Sequence, residues 1–207
     1  MAGADRRRQI LDAAIRVFAR QGFHACRVSD IANEAKVAYG LVYHYFGAKE
    51  AILDAVFVQR WDLMLDVIAE LDATDTAARE KLKAIAGFIV DSYRHEPDVM
   101  KVIIVEVTRA ANSFGRTHLQ RISLAYDGIT AIVERGQSTG EFRDEMSPKF
   151  AAMAFYGAIE QVLTGWIFDL LPSDEAAIDE AKGLIVDTVC RGIEVRGASQ
   201  ARVCLDG

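Results

Sequence analysis

The sequence predicts an all-α protein of nine helices, and three observations support this fold class. Apolar residues recur at three- and four-residue spacing along most of the chain, as from Phe57 to Ile68, which is the spacing of one helix face. No segment shows sustained apolar–polar alternation between turn residues, so no sheet is expected. Only three prolines occur, and each stands where a helix can begin. They are Pro97, Pro148 and Pro172.

The periodicity places the helices near 5–21, 28–35, 39–46, 49–72, 76–95, 97–112, 116–137, 148–170 and 174–196. Ser147 followed by Pro148 is a typical helix N-cap and first turn. Apolar residues make up 51 % of the chain, enough to build a large core. We divide the sequence into an N-terminal domain, residues 1–49, and a larger body, residues 50–207.

Cysteine usage and hydropathy indicate a cytoplasmic protein. The cysteines are odd in number and widely spaced (Cys26, Cys190 and Cys204), as expected of reduced thiols. No signal peptide is recognisable, and no apolar run approaches the roughly 20 residues that span a bilayer. The spacing of cysteine and histidine predicts no zinc site, and we expect no metal and no cofactor.

The charge is divided unevenly along the chain. Residues 1–49 contain eight basic and four acidic side chains, a net charge of +4, whereas residues 50–207 carry −10 of the total of −6. A basic N-terminal domain on an acidic body suits phosphate contacts at one end of the molecule.

The N-terminal domain has the pattern of a helix-turn-helix in residues 28–46. The second predicted helix is short, with Ser29 as a candidate N-cap and the small Ala32 where two helices would cross. The third is equally short and turns several side chains outward, as a helix in a DNA major groove does. Those outward residues are Ala38, Tyr39, Gly40, Tyr43 and His44. A helix former at Gly40 would be more stable by about 1 kcal/mol, so the glycine suggests close approach to a duplex.

The run ILDAAIRVFARQGFHACRVSDIANEAKVAYGLVYHYFGAKEAIL, residues 10–53, resembles the DNA-binding domain of the TetR family of regulators. The segments AAIRVFARQGF, VSDIANEAKVAYGLVYHYF and KEAIL have the order and spacing of that family. The resemblance implies phosphate contacts for Arg27 and Ser29. It implies that Tyr39, Gly40 and Leu41 face base edges. It also implies that Tyr43, His44 and Lys49 hold the DNA backbone on the other side.

Three positions depart from the family pattern. Lys36 occupies the turn position that usually carries glycine, and a non-glycine residue in the left-handed region costs roughly 1–2 kcal/mol. Ala38 replaces the usual capping serine or threonine, at about 1 kcal/mol. Lys36 can add a phosphate contact, and Tyr39 replaces a frequently basic residue. We therefore expect an operator that differs from those of relatives.

The last two helices are expected to pair with those of a second subunit, because one short recognition helix reads too few base pairs. Small and apolar residues at helical spacing on both helices permit the close approach of a four-helix bundle. The residues predicted at this interface are Ala151, Phe155, Ala158, Ile159, Val162, Ile178, Ala181, Ile185 and Val189. Packing of the same residues within one subunit is the alternative.

The body resembles the acyl-CoA-responsive repressors of fatty-acid degradation, from VIIVEVTRAAN through RISLAYDGITAIVERGQSTGEF to FYGAIEQVLTGWIF. Residues 101–121 contain four basic side chains and one acidic side chain, which would suit the phosphates of CoA. The predicted effector residues are Phe57, Trp61, Phe88, Tyr93, Ile104, Arg109, Arg116, Arg121, Tyr126, Tyr156 and Trp166. The alternative for each is an ordinary core aromatic residue or an arginine paired with a surface acid.

The sequence therefore predicts a dimeric repressor that binds double-stranded operator DNA and is released by a long-chain acyl-CoA. Helix four, beginning at Lys49, would transmit ligand binding to the DNA-reading helices. A repressor of efflux genes that senses hydrophobic drugs is one alternative. An enzyme is another, disfavoured because no catalytic motif is present. Glu160 is interpreted as a pocket or interface residue rather than a catalytic one. The operator, the target genes and the acyl chain length are left open.

Overall fold

The computed structural model describes residues 2–107 and 115–193, and within them the chain forms nine α-helices and no β-strand. The first four are α1 (Ala2–Gln21), α2 (Val28–Ala35), α3 (Tyr39–Phe46) and α4 (Lys49–Asp72). They are followed by α5 (Ala78–His95) and α6 (Pro97–Lys101), which continues as a π-helical segment (Val102–Val107). The last three are α7 (Gly115–Ser138), α8 (Pro148–Ile167) and α9 (Glu175–Ile193). The predicted all-α class is confirmed.

The prolines begin two of these helices rather than three. Pro97 and Pro148 are the first residues of α6 and α8, and the Ser147 hydroxyl accepts a hydrogen bond from the Phe150 N–H at 3.4 Å. Pro172 lies in the loop before α9, where its carbonyl accepts the Trp166 indole N–H at 2.9 Å. Asp174 caps α9 and accepts the Ala177 N–H at 3.1 Å, so Pro172 precedes the helix, which begins within one residue of the predicted start at 174.

The π-helical segment was not predicted. Residues 97–112 carry a helical pattern, but after Lys101 the backbone widens over Val102–Val107, in which five of six residues are β-branched. β-Branched side chains crowd a regular α-helix, and short π-helical stretches occur frequently at functional sites. This segment forms one wall of the cavity described below.

A single apolar core extends through the N-terminal helices and the body. Helix α1 buries Ile10, Val17 and Phe18 against α2, α4 and α6. Helix α4 continues the core with Leu53 and Phe57, and it packs against α5 and α7. Because α4 contacts α1 and α3 at one end and the body along its length, it links the two parts of the chain.

Cys26 and Cys190 are buried, and burial raises the pKa of the Cys26 thiol. Cys204 lies outside the described residues. No described helix has the combination of length and apolar character needed to cross a membrane. The described residues contain no His, Cys, Asp and Glu cluster suited to a metal ion.

Candidate DNA-reading surface and effector cavity

The turn between α2 and α3 places a non-glycine residue in the left-handed conformation, which costs free energy. Lys36 is in the left-handed region, with φ 53° and ψ 44°, and its N–H donates to the Asn33 carbonyl at 3.1 Å. Ala38 is the N-cap of α3 in extended conformation and provides no side-chain hydrogen bond. Both unusual positions therefore lie where the sequence indicates, and Lys36 is exposed.

The start of α2 differs from the prediction. Arg27, not Ser29, is the N-cap, because Asp30 reaches back and accepts the Arg27 N–H at 2.9 Å. Gln21 also donates to this Asp30 carboxylate, at 3.1 Å. Ser29 is thus in the first turn of α2, where backbone N–H groups have no partner within the helix, an arrangement that binds phosphates. The Arg27 side chain is exposed.

The outward face of α3 presents two tyrosines as a pair. Tyr39 and Tyr43 are 52 % and 42 % exposed, and their ring centroids are 5.0 Å apart. The Tyr39 hydroxyl donates to the Tyr43 hydroxyl at 3.1 Å, and this hydrogen bond is the main cause of a raised Tyr39 pKa. Gly40 and His44 are also exposed, whereas Leu41 is half-buried against the core.

Lys49 is bound within the chain. Its ammonium donates to the carbonyls of Phe23 and Cys26 at 2.7 and 2.8 Å, and it lies 4.4 Å from the centroid of the Phe23 ring. The predicted phosphate contact needs correction, because these three interactions hold the ammonium against the α1–α2 turn. Lys49 instead connects the first residue of α4 to the DNA-binding unit.

Arginines on α1 are partly engaged in ion pairs. Arg16 and Arg20 donate to the Glu34 carboxylate at 2.8 and 3.4 Å, joining α1 to α2. The hydrogen bond from Arg16 is the largest cause of the lowered pKa of Glu34. The positive charge of the N-terminal domain is therefore partly neutralised away from α3.

The body contains a cavity of about 170 Å³ between α4, the π-helical segment, α7 and α8. Five predicted effector residues line it: Phe57, Trp61, Ile104, Tyr126 and Tyr156. Glu160, interpreted from the sequence as a pocket or interface residue, also lines the cavity. The remaining walls are formed by four residues that were not predicted: Ile103, His118, Leu119 and Ile122. The cavity is therefore mainly apolar and aromatic, with few polar groups, as is usual for small-molecule sites.

The rings form a continuous series along the cavity. His118 lies 3.9 Å from Phe57, Phe57 lies 5.4 Å from Trp61, and Trp61 lies 6.1 Å from Tyr156 (centroid distances). Tyr156 meets Tyr126 edge to face at 5.4 Å. Since Phe57 and Trp61 belong to α4, a ligand in this cavity would contact α4 directly.

His118 joins this cavity to the N-terminal half of α4. The imidazole is 4 % exposed, and its Nε2 contacts an Asp54 carboxylate oxygen. Asp54 lies three residues before Phe57 and five after Lys49. Sequence reasoning missed His118 because a single histidine on an amphipathic helix carries no spacing signal.

Phe88 lines a separate, smaller space. This second cavity, of about 30 Å³, shares Trp61, Ile103 and Tyr156 with the first. The shared side chains form the wall between the two cavities. Phe88 is therefore adjacent to the main cavity rather than in it.

Two predicted aromatic residues lie elsewhere. Tyr93 and Trp166 stack on each other with centroids 5.2 Å apart and an interplanar angle of 24°. Neither lines the two cavities above. Because the pair closes the end of the body beside the Pro172 loop, the assignment of Tyr93 and Trp166 to the effector is corrected to core packing.

The predicted basic group is only partly described. Arg121 donates to Asp62 of α4 at 2.8 Å, so it is paired with a surface acid. Arg116 belongs to α7, but its side chain is outside what the structure describes, and Arg109 lies wholly outside the described residues. Lys101 is exposed at the end of α6.

Most of the predicted dimer-interface residues face the interior of one subunit. Five of them are at most 4 % exposed, so they have no surface to offer a partner: Ala151, Phe155, Ile159, Ile178 and Ile185. Ala158, Val162, Ala181 and Val189 are half-buried. The five buried residues were identified correctly as apolar but assigned to the wrong partner, because the same periodicity serves an internal core and an interface.

The outer face of α8 and α9 is apolar at other positions. Phe150 and Met153 of α8 are 75 % and 49 % exposed, and Leu184 of α9 is 63 % exposed. Gly157 and Gly183 leave these faces flat, since a methyl group at either would meet no described heavy atom within 4 Å. Large exposed apolar side chains beside small residues indicate an interaction surface.

Comparison with known proteins decides the family. Residues 10–56 match the model of the bacterial regulatory proteins of the tetR family, and residues 79–189 match the tetracyclin repressor-like C-terminal domain. This chain belongs to the TetR family. It is therefore a TetR-type transcriptional regulator with a helix-turn-helix that binds operator DNA, and not an enzyme.

Individual relatives of this TetR-family protein include regulators of lipid metabolism. It is 28 % identical over 174 residues to the fatty acid metabolism regulator protein of Bacillus subtilis, covering 84 % of this chain and 89 % of that protein. The structure of the B. subtilis regulator FadR in complex with stearoyl-CoA has a TM-score of 0.75 at 23 % identity, covering 90 % of this chain and 98 % of that one.

The fold by itself does not specify the ligand. The ketosteroid regulator KstR2 of Mycobacterium tuberculosis has a TM-score of 0.78 at 19 % identity, covering 92 % of this chain and 96 % of that one. At this identity the likeness establishes the shared fold alone. The effector must be inferred from the residues of the cavity.

Proposed function

We propose that this protein is a homodimeric repressor of fatty-acid degradation genes that leaves its operator when it binds a long-chain acyl-CoA. It acts in the cytoplasm, where operator DNA and CoA thioesters are both present. The observation that carries the proposal is the aromatic cavity built on α4, the helix that immediately follows the DNA-reading helix. The similarity to the B. subtilis fatty acid metabolism regulator supports it.

The apolar lining of the cavity suits a hydrocarbon chain, but the cavity must widen to accept a long one. Sites for drug-sized ligands run about 300–1,000 Å³, and the main cavity has about 170 Å³. Movement of Trp61, Ile103 or Tyr156 would join it to the smaller cavity at Phe88. Residues 101–121 also contain four basic side chains that would suit the phosphates of CoA, among them Lys101, which lies two residues before Ile103 of the cavity lining.

DNA binding is assigned to α2 and α3. Exposed Arg27, the first-turn N–H groups of α2 and exposed Lys36 would contact phosphates, whereas Tyr39 would face base edges. Ala38, Gly40 and Leu41 begin α3 at the same surface, and Tyr43 and His44 follow on its outer side. Lys49 supports this surface from behind.

Dimerisation is assigned to the exposed face of α8 and α9. Phe150, Met153 and Leu184 would be covered by the same face of a second subunit, as in an isologous two-fold interface. The half-buried Ala158, Val162, Ala181 and Val189 would lie at its edge. Two recognition helices would then read two half-sites at a fixed spacing.

The mechanism follows from linkage between the two sites. A ligand displaces an equilibrium only by binding one conformation more tightly than the other. Phe57 and Trp61 face the cavity, Asp54 contacts His118, and Lys49 binds the α1–α2 turn, all from one helix. Ligand that shifts the middle of α4 would therefore move the DNA-reading surface and change the half-site spacing.

Native mass spectrometry of the protein purified from cells, with and without operator DNA selected by the protein, tests this function. We expect a dimer that carries a mass matching an acyl-CoA in the absence of DNA and loses that mass in the DNA complex. Co-purification of a hydrophobic drug-like mass would support an efflux repressor instead. A ligand that stays bound in the DNA complex would contradict release by the effector.

A further inference from the structure

Three polar side chains that line the main cavity make no hydrogen bond to any described residue. Glu160 and the hydroxyls of Tyr126 and Tyr156 all belong to the lining. Their hydrogen-bonding side-chain atoms have no partner within the described part of the chain. Glu160 and Tyr156 lie one helical turn apart on α8, and Tyr126 of α7 packs edge to face on Tyr156 at 5.4 Å.

This group is unusual because its surroundings are apolar. The Tyr156 ring lies beside Trp61, and the cavity lining around it includes Ile103, Ile104 and Ile122. All three side chains are half-buried, and a ligand that fills the cavity would remove their polar atoms from solvent. Polar groups buried in this way normally have hydrogen-bond partners. A purely hydrocarbon ligand would exclude water from the cavity and leave all three groups unsatisfied.

We infer that the effector carries a hydroxyl or carbonyl oxygen within its apolar part, and that Glu160, Tyr126 and Tyr156 bind this oxygen. In the proposed function, the effector is then an oxygenated acyl-CoA rather than a saturated one. The inference rests on that proposal and specifies the ligand class of the same cavity.

The raised pKa of Glu160 favours a ligand oxygen over an amine. Burial raises the pKa of Glu160, which increases the fraction of neutral carboxyl groups able to donate a hydrogen bond. Burial and the neighbouring Glu160 likewise raise the pKa of Tyr156, so its hydroxyl keeps its proton. A protonated Glu160 and the two tyrosine hydroxyls can each donate a hydrogen bond to a carbonyl or hydroxyl oxygen, whereas a cationic amine requires an ionised carboxylate.

The test is a set of binding titrations by isothermal calorimetry on the purified protein, with hexadecanoyl-CoA, its 3-hydroxy, 3-oxo and 16-hydroxy derivatives, and hexadecylamine. We expect at least one oxygenated derivative to bind about tenfold or more tightly than hexadecanoyl-CoA, as expected of a site built to bind an oxygen. Tighter binding of hexadecanoyl-CoA than of every oxygenated derivative would overturn the inference while leaving the proposed function intact. No binding of any CoA ester would contradict the proposed function, and preferential binding of the amine would contradict both.

Substitutions in the cavity test which residues cause the preference for an oxygenated ligand. Glu160→Gln and Tyr156→Phe should each reduce the preference for the oxygenated ligand, and Glu160→Leu should improve hexadecanoyl-CoA binding by about tenfold. Tyr93→Phe is the matched control, because Tyr93 stacks on Trp166 away from the cavity. An unchanged preference in Glu160→Gln and Tyr156→Phe, or an equal change in Tyr93→Phe, would contradict the assignment of these residues.

Discussion

The Tyr39 hydroxyl donates a hydrogen bond to the Tyr43 hydroxyl on the exposed face of α3. The two residues are one helical turn apart, and their rings are in edge contact. The side chain proposed to read bases and the side chain proposed to bind the DNA backbone are thus held as one unit. This pair gives the recognition surface a fixed shape without a capping side chain at Ala38.

Tyr39→Ala should change the preference of the protein at one base position, whereas Tyr43→Ala should weaken binding to all operator variants equally. Loss of a base contact costs about 1–3 kcal/mol on the preferred base, while a phosphate contact carries no sequence information. Fluorescence anisotropy with a set of single-base operator variants measures both effects.

The hydrogen bond between the tyrosines adds a control to this prediction. Tyr39→Phe and Tyr43→Phe should be non-additive in operator binding, because either change alone removes the same hydrogen bond. Equal losses on every operator variant for Tyr39→Ala would contradict its role in reading bases.

Gly40→Ala should stabilise the protein and weaken operator binding. Alanine favours a helix by about 1 kcal/mol over glycine, and a methyl group at Gly40 would meet no described heavy atom within 4 Å. The fold therefore does not require this glycine, and close approach to DNA would explain it. Gly87→Ala in α5 is the matched control, since Gly87 is similarly free of close neighbours. Thermal unfolding and anisotropy measure the two effects, and unaltered operator affinity in Gly40→Ala would refute the close approach.

Lys49→Met should destabilise the folded protein by about 2 kcal/mol, because two carbonyls lose a charged donor. Those carbonyls belong to Phe23 and Cys26. Lys83→Met is the control, since Lys83 forms an exposed ion pair with Glu80 and no other ion pair within the described ranges. This change should alter stability by less than about 0.5 kcal/mol. Urea unfolding measures both variants. If Lys49→Met left stability unchanged and reduced the salt dependence of DNA binding, Lys49 would be a phosphate-binding residue instead.

Glu160→Gln should stabilise the ligand-free protein at pH 7. Burial raises the pKa of Glu160 in the folded state above its ordinary value near 4.5, so the folded protein binds the proton more tightly than the unfolded chain. The stability of the parent protein therefore falls as the pH rises through this window, and glutamine removes that loss. The gain should disappear below about pH 4, where the carboxyl group is protonated in both states. Thermal unfolding of the parent protein and of Glu160→Gln between pH 4 and pH 7 measures this difference. The same pH dependence of stability in both proteins would disprove the prediction.

Local sequence patterns were sufficient to predict the all-α class and most helix positions. The bounds of α2, α3 and α4 follow from the apolar spacing and from the turn at Lys36, and Ser147–Pro148 correctly marks the start of α8. The sequence could not distinguish burial within one subunit from burial between two subunits. Phe155 and Ile185 were therefore predicted at the dimer interface, although they are buried within one subunit. The same periodicity serves both purposes, and only three-dimensional packing separates them.

The aromatic residues of the cavity were predicted from the sequence, whereas its histidine was missed. Phe57, Trp61 and Tyr156 were recognised because large aromatic residues on several helices converge in a small core. His118 gave no signal in the sequence, because its contact with Asp54 joins helices 64 residues apart. Lys49 was misassigned for the same reason: its carbonyl partners lie in a turn 23 and 26 residues away.

The central claim is that acyl-CoA bound in the cavity releases the protein from its operator. Its most direct test is fluorescence anisotropy of an operator duplex, selected by the protein from random DNA, during titration with the acyl-CoA that binds most tightly. The account predicts a loss of operator affinity of about tenfold or more at saturation, with a midpoint equal to the independently measured ligand affinity and no effect of CoA alone. An acyl-CoA that saturates the protein and leaves operator affinity unchanged would contradict it.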